Sequence, residues 1–296
     1  MDLSQIYEGL WKQTVEAVDK GEWPKSGTLV KHCVRTEASS LAPTRFEQDG
    51  VLGLHAILCS EDQVSILKEG KNIFEDFVDS CAACMSTQRA LEFKNLVFWG
   101  GAWHATVCIF SENPTLLGED ERSVWHSIDE DKVHMLRTAL EEGLCTDHEL
   151  EVVVTLHGFR VCADGGLIAV FVEDAAQSFT ALRASAKELG TRAIGPLNSR
   201  PKKLIHVTLG RILELPSGLP DNERVELFKV VRKWATALGN GTRPADGDST
   251  GCEMAGVLAA PLKIRDVSLC RESGWWMTEY HVYQTLRLCD PTAQEA

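Results

Sequence analysis

The chain has 296 residues, with 44% apolar and 25% charged side chains and a net charge of −13. That composition is ordinary for a globular protein long enough to bury a sizeable core, and its acidic balance excludes binding of long nucleic acid through the phosphate backbone, which needs a basic surface. No apolar run approaches the roughly 20 residues that span a bilayer, and Met1-Asp2-Leu3-Ser4-Gln5-Ile6 lacks the basic start and apolar core of a secretory signal, so a cytoplasmic location away from membranes is expected.

Leu3, Ile6, Tyr7, Leu10, Trp11, Val15 and Val18 recur at helical spacing, predicting an amphipathic helix over 2–19 that ends near Gly21 and Pro24. Its polar face carries Glu8, Glu16 and Asp19, so it is expected to pack on the body of the protein. Residues 21–50, dotted with Gly, Pro, Ser and Thr, read as irregular with a strand at 28–35. A buried strand follows at 51–59, then a capping-box helix start at Ser60-Glu61-Asp62-Gln63, since a Ser three residues before Gln satisfies two orphan backbone donors. Gly70 is expected to interrupt this helix, with Ile73, Phe77, Cys81 and Cys84 continuing one face. A strand at 96–110, broken at Gly100-Gly101, precedes an acid-rich loop and a helix from Asp129 to Gly143.

The second half is plainer. A long strand at 150–162, a turn at Asp164-Gly165-Gly166 and a strand at 167–172 form a hairpin. Asp174 and Gln177 cap a helix expected to close at Gly190, and a strand covers 204–213. Val225, Phe228, Val231, Trp234 and Leu238 define a helix stopped at Gly239, and 240–251 reads as a mobile loop. Strands at 262–270 and 276–288 close the chain as a hairpin around Gly274. The domain reading is an extension at 1–50, one domain at 51–290 and a tail at 291–296. Ten scattered cysteines read as free thiols in a chain that needs no disulfide staples, and Cys81-Ala82-Ala83-Cys84 as a helix face rather than a zinc or redox motif.

The order strand, helix, strand occurs twice, at 51–110 and 167–213, and each copy ends in a His-x-Thr: His104-Ala105-Thr106 and His206-Val207-Thr208, their histidines 102 positions apart. In a strand, residues i and i+2 share a face, so each histidine lies beside its threonine. Two such strands side by side bring two imidazoles and two hydroxyls into one cleft. That set suits in-line displacement at phosphorus: one imidazole takes a proton from the attacking oxygen, the other gives one to the leaving oxygen, and the hydroxyls hold the phosphoryl oxygens. Both windows are locally free of acids. Residues 93–111 contain none, and 189–213 contain none beside Arg192, Arg200, Lys202, Lys203 and Arg211. Either window alone reads equally as a solvated loop with buried strands that exclude acids, and their coincidence with both motifs points to room for a small anion despite the acidic whole. His55 and His157 have no threonine at i+2 and read as core or strand-end residues.

Trp103-His104-Ala105-Thr106-Val107 and His206-Val207-Thr208-Leu209-Gly210-Arg211 resemble the two motifs of the two-histidine (2H) phosphoesterase superfamily, which includes RNA 2′,5′-ligase-like proteins and cyclic nucleotide phosphodiesterases. The second motif is the closer match; the first has Thr-Val where many relatives have Thr-Leu, and the extension of about 50 residues exceeds that of compact members. The resemblance covers about 51–290. It implies an α+β fold of two pseudo-symmetric lobes, each an antiparallel sheet with flanking helices, and a cleft between them. It also implies metal-independent, cofactor-free chemistry on a small nucleotide or RNA end, with His104, Thr106, His206 and Thr208 as catalytic residues. Arg211 is a substrate-binding candidate, although its odd spacing from His206 points it away from the cleft and a salt bridge is an equal alternative. Trp276 and Tyr280 are candidates for stacking a base, against a core role on the closing strand. With no Gly-x-Gly-x-x-Gly or P-loop present, dinucleotide or NTP chemistry of those types is not indicated. Three readings stay open: a phosphodiesterase of cyclic or 2′-linked ribonucleotides, a nucleotide- or RNA-end-binding module with little catalysis, and an unrelated α/β protein whose two imidazoles lie far apart.

Overall fold

The computed structural model describes residues 3–25, 32–36, 40–46, 50–114, 128–145, 152–197, 202–244, 252–253 and 261–288. Its elements in chain order are α1 (Leu3–Asp19), β1 (Cys33–Arg35), β2 (Leu41–Pro43), β3 (Leu52–Ile57), α2 (Glu61–Ala82), α3 (Thr87–Asn95), β4 (Val97–Phe98) and β5 (His104–Ser111). There follow α4 (Glu130–Leu144), β6 (Val152–Val161), β7 (Gly166–Glu173), α5 (Ser178–Ile194), β8 (His206–Ile212) and α6 (Asp221–Gly239). The described chain ends with β9 (Thr242–Arg243), β10 (Cys252–Glu253), β11 (Pro261–Ile264), β12 (Asp266–Glu272), a 3₁₀ turn (Trp275–Met277) and β13 (Tyr280–Arg287). Among the described residues, no helix is long and apolar enough to cross a membrane.

One antiparallel sheet dominates, in the order β11-β6-β7-β8-β5-β3-β12-β13, with β4 pairing β8 off that path. The two motif strands, β5 and β8, meet at its centre through the single pair Ala105↔Val207. Four strands lie on each side of this seam. Each motif strand is flanked outward by the strand that precedes it through a helical connection, β3 beside β5 and β7 beside β8. The duplicated strand–helix–strand order therefore becomes two matching half-sheets, joined rather than separate.

The last strands force the sheet to curl. The apolar run at 262–270, expected as one strand, is split by Arg265. β11 pairs β6 at one end of the sheet, while β12 pairs β3 near the other. Ile264 and Asp266 are two residues apart, and a chain spans at most about 3.5 Å per residue. The two ends of the sheet must therefore approach, which makes the sheet a curved half-barrel around a core of apolar side chains.

Helices cross between the half-sheets. α2, which connects β3 to β5, packs against β7 and β8, whereas α5, which connects β7 to β8, straddles the seam, packing against β5 as well as β6 and β7. The glycines expected to break these helices instead permit the contact. A Cβ on Gly70 would fall 2.2 Å from Phe159 Cε1 and 2.8 Å from Leu209 Cδ1, and one on Gly190 would fall 2.6 Å from Phe110 Cε1. Both helices run through them, α5 stopping only at Gly195, where φ is +87°. Other local signals hold at atomic level. Gln63 Oε1 accepts from the Ser60 N–H at 3.1 Å, Asp129 Oδ1 from Lys132 N–H at 2.9 Å, and Asp164 Oδ1 from Gly166 N–H at 3.0 Å in the β6–β7 turn.

The N-terminal helix is part of this framework. α1 packs on α6 and β6. Thr14 Oγ1 donates to the Val161 carbonyl at 2.7 Å, and Trp23 Nε1 donates to the Cys162 carbonyl at 3.1 Å. The Tyr7 hydroxyl, fully buried, donates to the Phe171 carbonyl at 2.6 Å and accepts from the Ile205 N–H at 3.1 Å. It thereby ties β7 to the residue just before His206. The strand expected at 28–35 is reduced to β1 among the described residues, and most of the expected loop at 240–251 lies outside them.

Candidate active site

The antiparallel register at the seam arranges the four motif residues. With Ala105 opposite Val207, His104 lies across from Thr208, and Thr106 across from His206. Alternation puts all four on one face. His104, Thr106, His206 and Thr208 are all half-buried, while Ala105 and Val207 between them are buried in the core. The reason is local: each motif alternates a polar residue that tolerates a wet cleft with an apolar one that does not.

His104 Nδ1 lies 2.7 Å from the Ala102 carbonyl oxygen. A carbonyl only accepts, so Nδ1 carries the proton, and in the neutral ring the Nε2 lone pair is left for the cleft. Burial lowers the His104 pKa, Lys202 adding to this and the Ala102 hydrogen bond opposing it. His206 is pushed down to about 4, chiefly by burial, with His104, Arg183, Lys202 and Arg211 contributing positive charge. Both rings are thus biased toward the neutral form.

A third histidine belongs to the same face. His55 of β3 stands opposite Thr106, and its ring meets that of His104 edge to face at a centroid distance of 4.9 Å. It was expected as a satisfied core residue. It is fully buried, but neither ring nitrogen has a hydrogen-bond partner among the described residues. Its Nε2 lies 3.6 Å from Glu272 Oε1, an ion-pair distance too long for a hydrogen bond. Gly53 makes room for the ring, since a Cβ there would fall 2.4 Å from Nε2. Burial drives the His55 pKa well down, assisted by His104 and Lys202. Burial also raises Glu272 to about 7, with a hydrogen bond from the Met277 backbone and the Lys202 charge opposing the rise and Glu112 adding to it. Sequence reasoning missed this pair. His55 lacks the threonine two residues on, and Glu272 sits on a strand whose pairing with β3 no local pattern announces.

Three other candidates complete the set. Arg211 Nη1 is 2.7 Å from Asp164 Oδ2, and its guanidinium lies 5.4 Å from the Trp276 ring centroid. Trp276, at φ 58° in the 3₁₀ turn, also packs against Phe98 at 5.2 Å. Arg211 and Trp276 therefore pack together, with the guanidinium already engaged by a carboxylate, and the register shift between β7 and β8 returns Arg211 to the face of Thr208, where its charge acts on His206. Tyr280 is exposed on β13, the edge strand of the sheet. Among the described residues, no group of three or more His, Cys, Asp or Glu side chains is disposed to hold a metal ion. Cys81 and Cys84 are free thiols, the first buried in the body of α2.

No family model and no curated protein matches this sequence. Among solved structures, the chain is similar to TT0787 of Thermus thermophilus, with 11% identity and a TM-score of 0.45 over 81% of this chain and 99% of that one. It is similar to E. coli LigT complexed with NADP+, at 10% identity and a TM-score of 0.40 over 82% of this chain and all of that one. It is also similar to a protein described as a phosphoesterase, at 10% identity and a TM-score of 0.39 over 81% and 99%. At this level the likeness assigns no residue a role.

Proposed function

We propose that the protein is a metal-independent phosphodiesterase that cleaves cyclic or 2′-linked ribonucleotide phosphodiesters by two-histidine acid–base catalysis. The observation that carries this reading is the Ala105↔Val207 pair, since antiparallel register beside it supports two imidazoles and two hydroxyls on one face. A tetrahedral phosphoryl group there meets an imidazole from each strand. His206, held at about 4, stays neutral and serves as the base that takes a proton from water. His104, whose Nδ1–H is held by the Ala102 carbonyl, acts as the acid in its doubly protonated form and gives its Nε2 proton to the leaving ribose oxygen. The Thr106 and Thr208 hydroxyls donate to the non-bridging oxygens, where negative charge grows. Each acid or base is worth about 10²–10⁴ in rate, and each well-aimed donor about 10²–10³.

The bias of both imidazoles toward the neutral form favours a second reading, a nucleotide-binding module with little chemistry. A single panel separates the two: 2′,3′-cyclic nucleotides and 2′,5′- and 3′,5′-linked dinucleotides, assayed in EDTA with wild type, His104→Ala and His206→Ala. Turnover in EDTA that both substitutions abolish supports the phosphodiesterase. Binding without turnover leaves the module, and activity that needs added metal, or survives in His206→Ala, removes the two-histidine mechanism.

A further inference from the structure

Beyond the Ala105↔Val207 pair, β5 and the run into β8 make no further ladder pairs. On the Thr106 and His206 side the gap is bridged by Arg183 of α5, whose Nη2 donates to the Thr106 carbonyl at 2.8 Å and the Leu204 carbonyl at 2.6 Å. Its buried Nε has no hydrogen-bond partner among the described residues.

Beside this wedge opens a cavity of about 420 Å³, within the range of small-ligand sites. One wall is apolar, formed by Val107 and Ile109; the other carries Arg183, Lys187, Lys202 and Lys203. No described residue lining it is acidic. Carboxylates stand outside it: Glu188 lines an adjoining hollow beside Lys187, Glu112 Oε1 is 3.8 Å from Lys202 Nζ, and Glu173 is occupied by the Thr180 hydroxyl and N–H at 2.5 and 2.8 Å. Lys202 belongs to both places, since its charge acts on His55, His104 and His206. The cavity is thus an annex of the catalytic face. A diester carries one negative charge, which leaves most of these cations without a counterpart on the group being cut.

We propose that this cavity is a subsite for a second phosphate on the substrate, either a 5′-terminal phosphate or the next linkage of an oligonucleotide, with the sugar or base against Val107 and Ile109. This rests on the phosphodiesterase reading and narrows its substrate class. Plain nucleoside 2′,3′-cyclic phosphates, with no second anion, are then poor substrates.

The test compares adenosine 2′,3′-cyclic phosphate, its 5′-phosphorylated form and an adenylyl dinucleotide ending in the same cyclic phosphate, at fixed ionic strength. Wild type is expected to prefer one or both phosphate-bearing forms by about tenfold or more in kcat/KM. In the Lys187→Ala/Lys203→Ala double variant that ratio falls toward one. A preference confined to the dinucleotide identifies the linkage phosphate, and one confined to the mononucleotide the 5′-terminal phosphate. Equal kcat/KM for all three in wild type, or a ratio that survives in the variant, overturns the subsite. If no substrate turns over, the phosphodiesterase reading falls, and calorimetry still decides this one. Adenosine 3′,5′-bisphosphate should bind wild type about tenfold tighter than adenosine 3′-monophosphate, and the double variant should lose the difference. No difference in wild type refutes the subsite on its own.

Discussion

Substituting Glu272 by Gln tests the electrostatics of the buried histidine pair. Glu272 is raised from 4.5 to about 7 by burial, so between those values the folded protein keeps a proton that the unfolded chain releases. Stability then falls with rising pH by about 1.4 kcal/mol per pH unit. This contribution is fully present below 4.5 and lost as pH climbs through 7, about 3 kcal/mol across the window as an upper bound. His206 slopes the other way. Its folded pKa of about 4 lies below the ordinary 6.5, so its contribution is present above 6.5 and lost as pH falls. His55 and His104, also lowered, slope with His206, so wild type is expected to gain stability as pH rises toward 6.5, with Glu272 offsetting part of that gain. Glu272→Gln keeps the His206 trend and removes the carboxyl, so its stability relative to wild type should climb by about 3 kcal/mol between pH 4.5 and 7. Urea unfolding followed by tryptophan fluorescence, at constant ionic strength from pH 4.5 to about pH 8, reads this difference directly. A flat difference would refute the reasoning. It would mean that Glu272 is ionised throughout, paired with a cationic His55 across the 3.6 Å gap.

The same shifts set the activity profile. A base at about 4 and an acid below the ordinary 6.5 put the optimum of kcat/KM on the acid side of 6.5, a bell that initial rates across pH will trace. Gly70→Ala should destabilise the fold. Overpacking Phe159 and Leu209 costs about 1–3 kcal/mol against a helix-propensity gain of about 1 kcal/mol, and the midpoint of chemical unfolding reports the balance. Tyr7→Phe leaves the Ile205 N–H and Phe171 carbonyl short of a partner in the interior, a loss of about 1–3 kcal/mol. An unchanged midpoint would show that α1 does not brace the strand carrying His206.

Much of this architecture was legible in local sequence because local physics produces it. The helical spacing of Leu3 to Val18, the Gln63 and Asp129 caps and the Asp164-Gly165-Gly166 turn each depend on a few neighbouring residues. The two His-x-Thr strands were legible for the same reason, since alternation alone fixes which side chains share a face. The misses come from long-range packing. Gly70 and Gly190 read as breakers because the aromatic rings that need the space, Phe159 and Phe110, come from other parts of the chain. Arg265 looked like the interior of a strand, because an apolar run does not say which partner strand each half will find. His55 and Glu272 escaped notice because burial without hydrogen bonds is a property of the folded environment.

The reach of α2 and α5 across the seam, together with the one-residue step at Arg265, means that this molecule cannot be divided at its middle. A break between α4 and β6 gives one fragment without β12 and β13, and another without the helix that covers β8. Neither piece owns a finished lobe. Expressed alone, each should stay unfolded or aggregate; expressed together, they should reassemble, each supplying one imidazole.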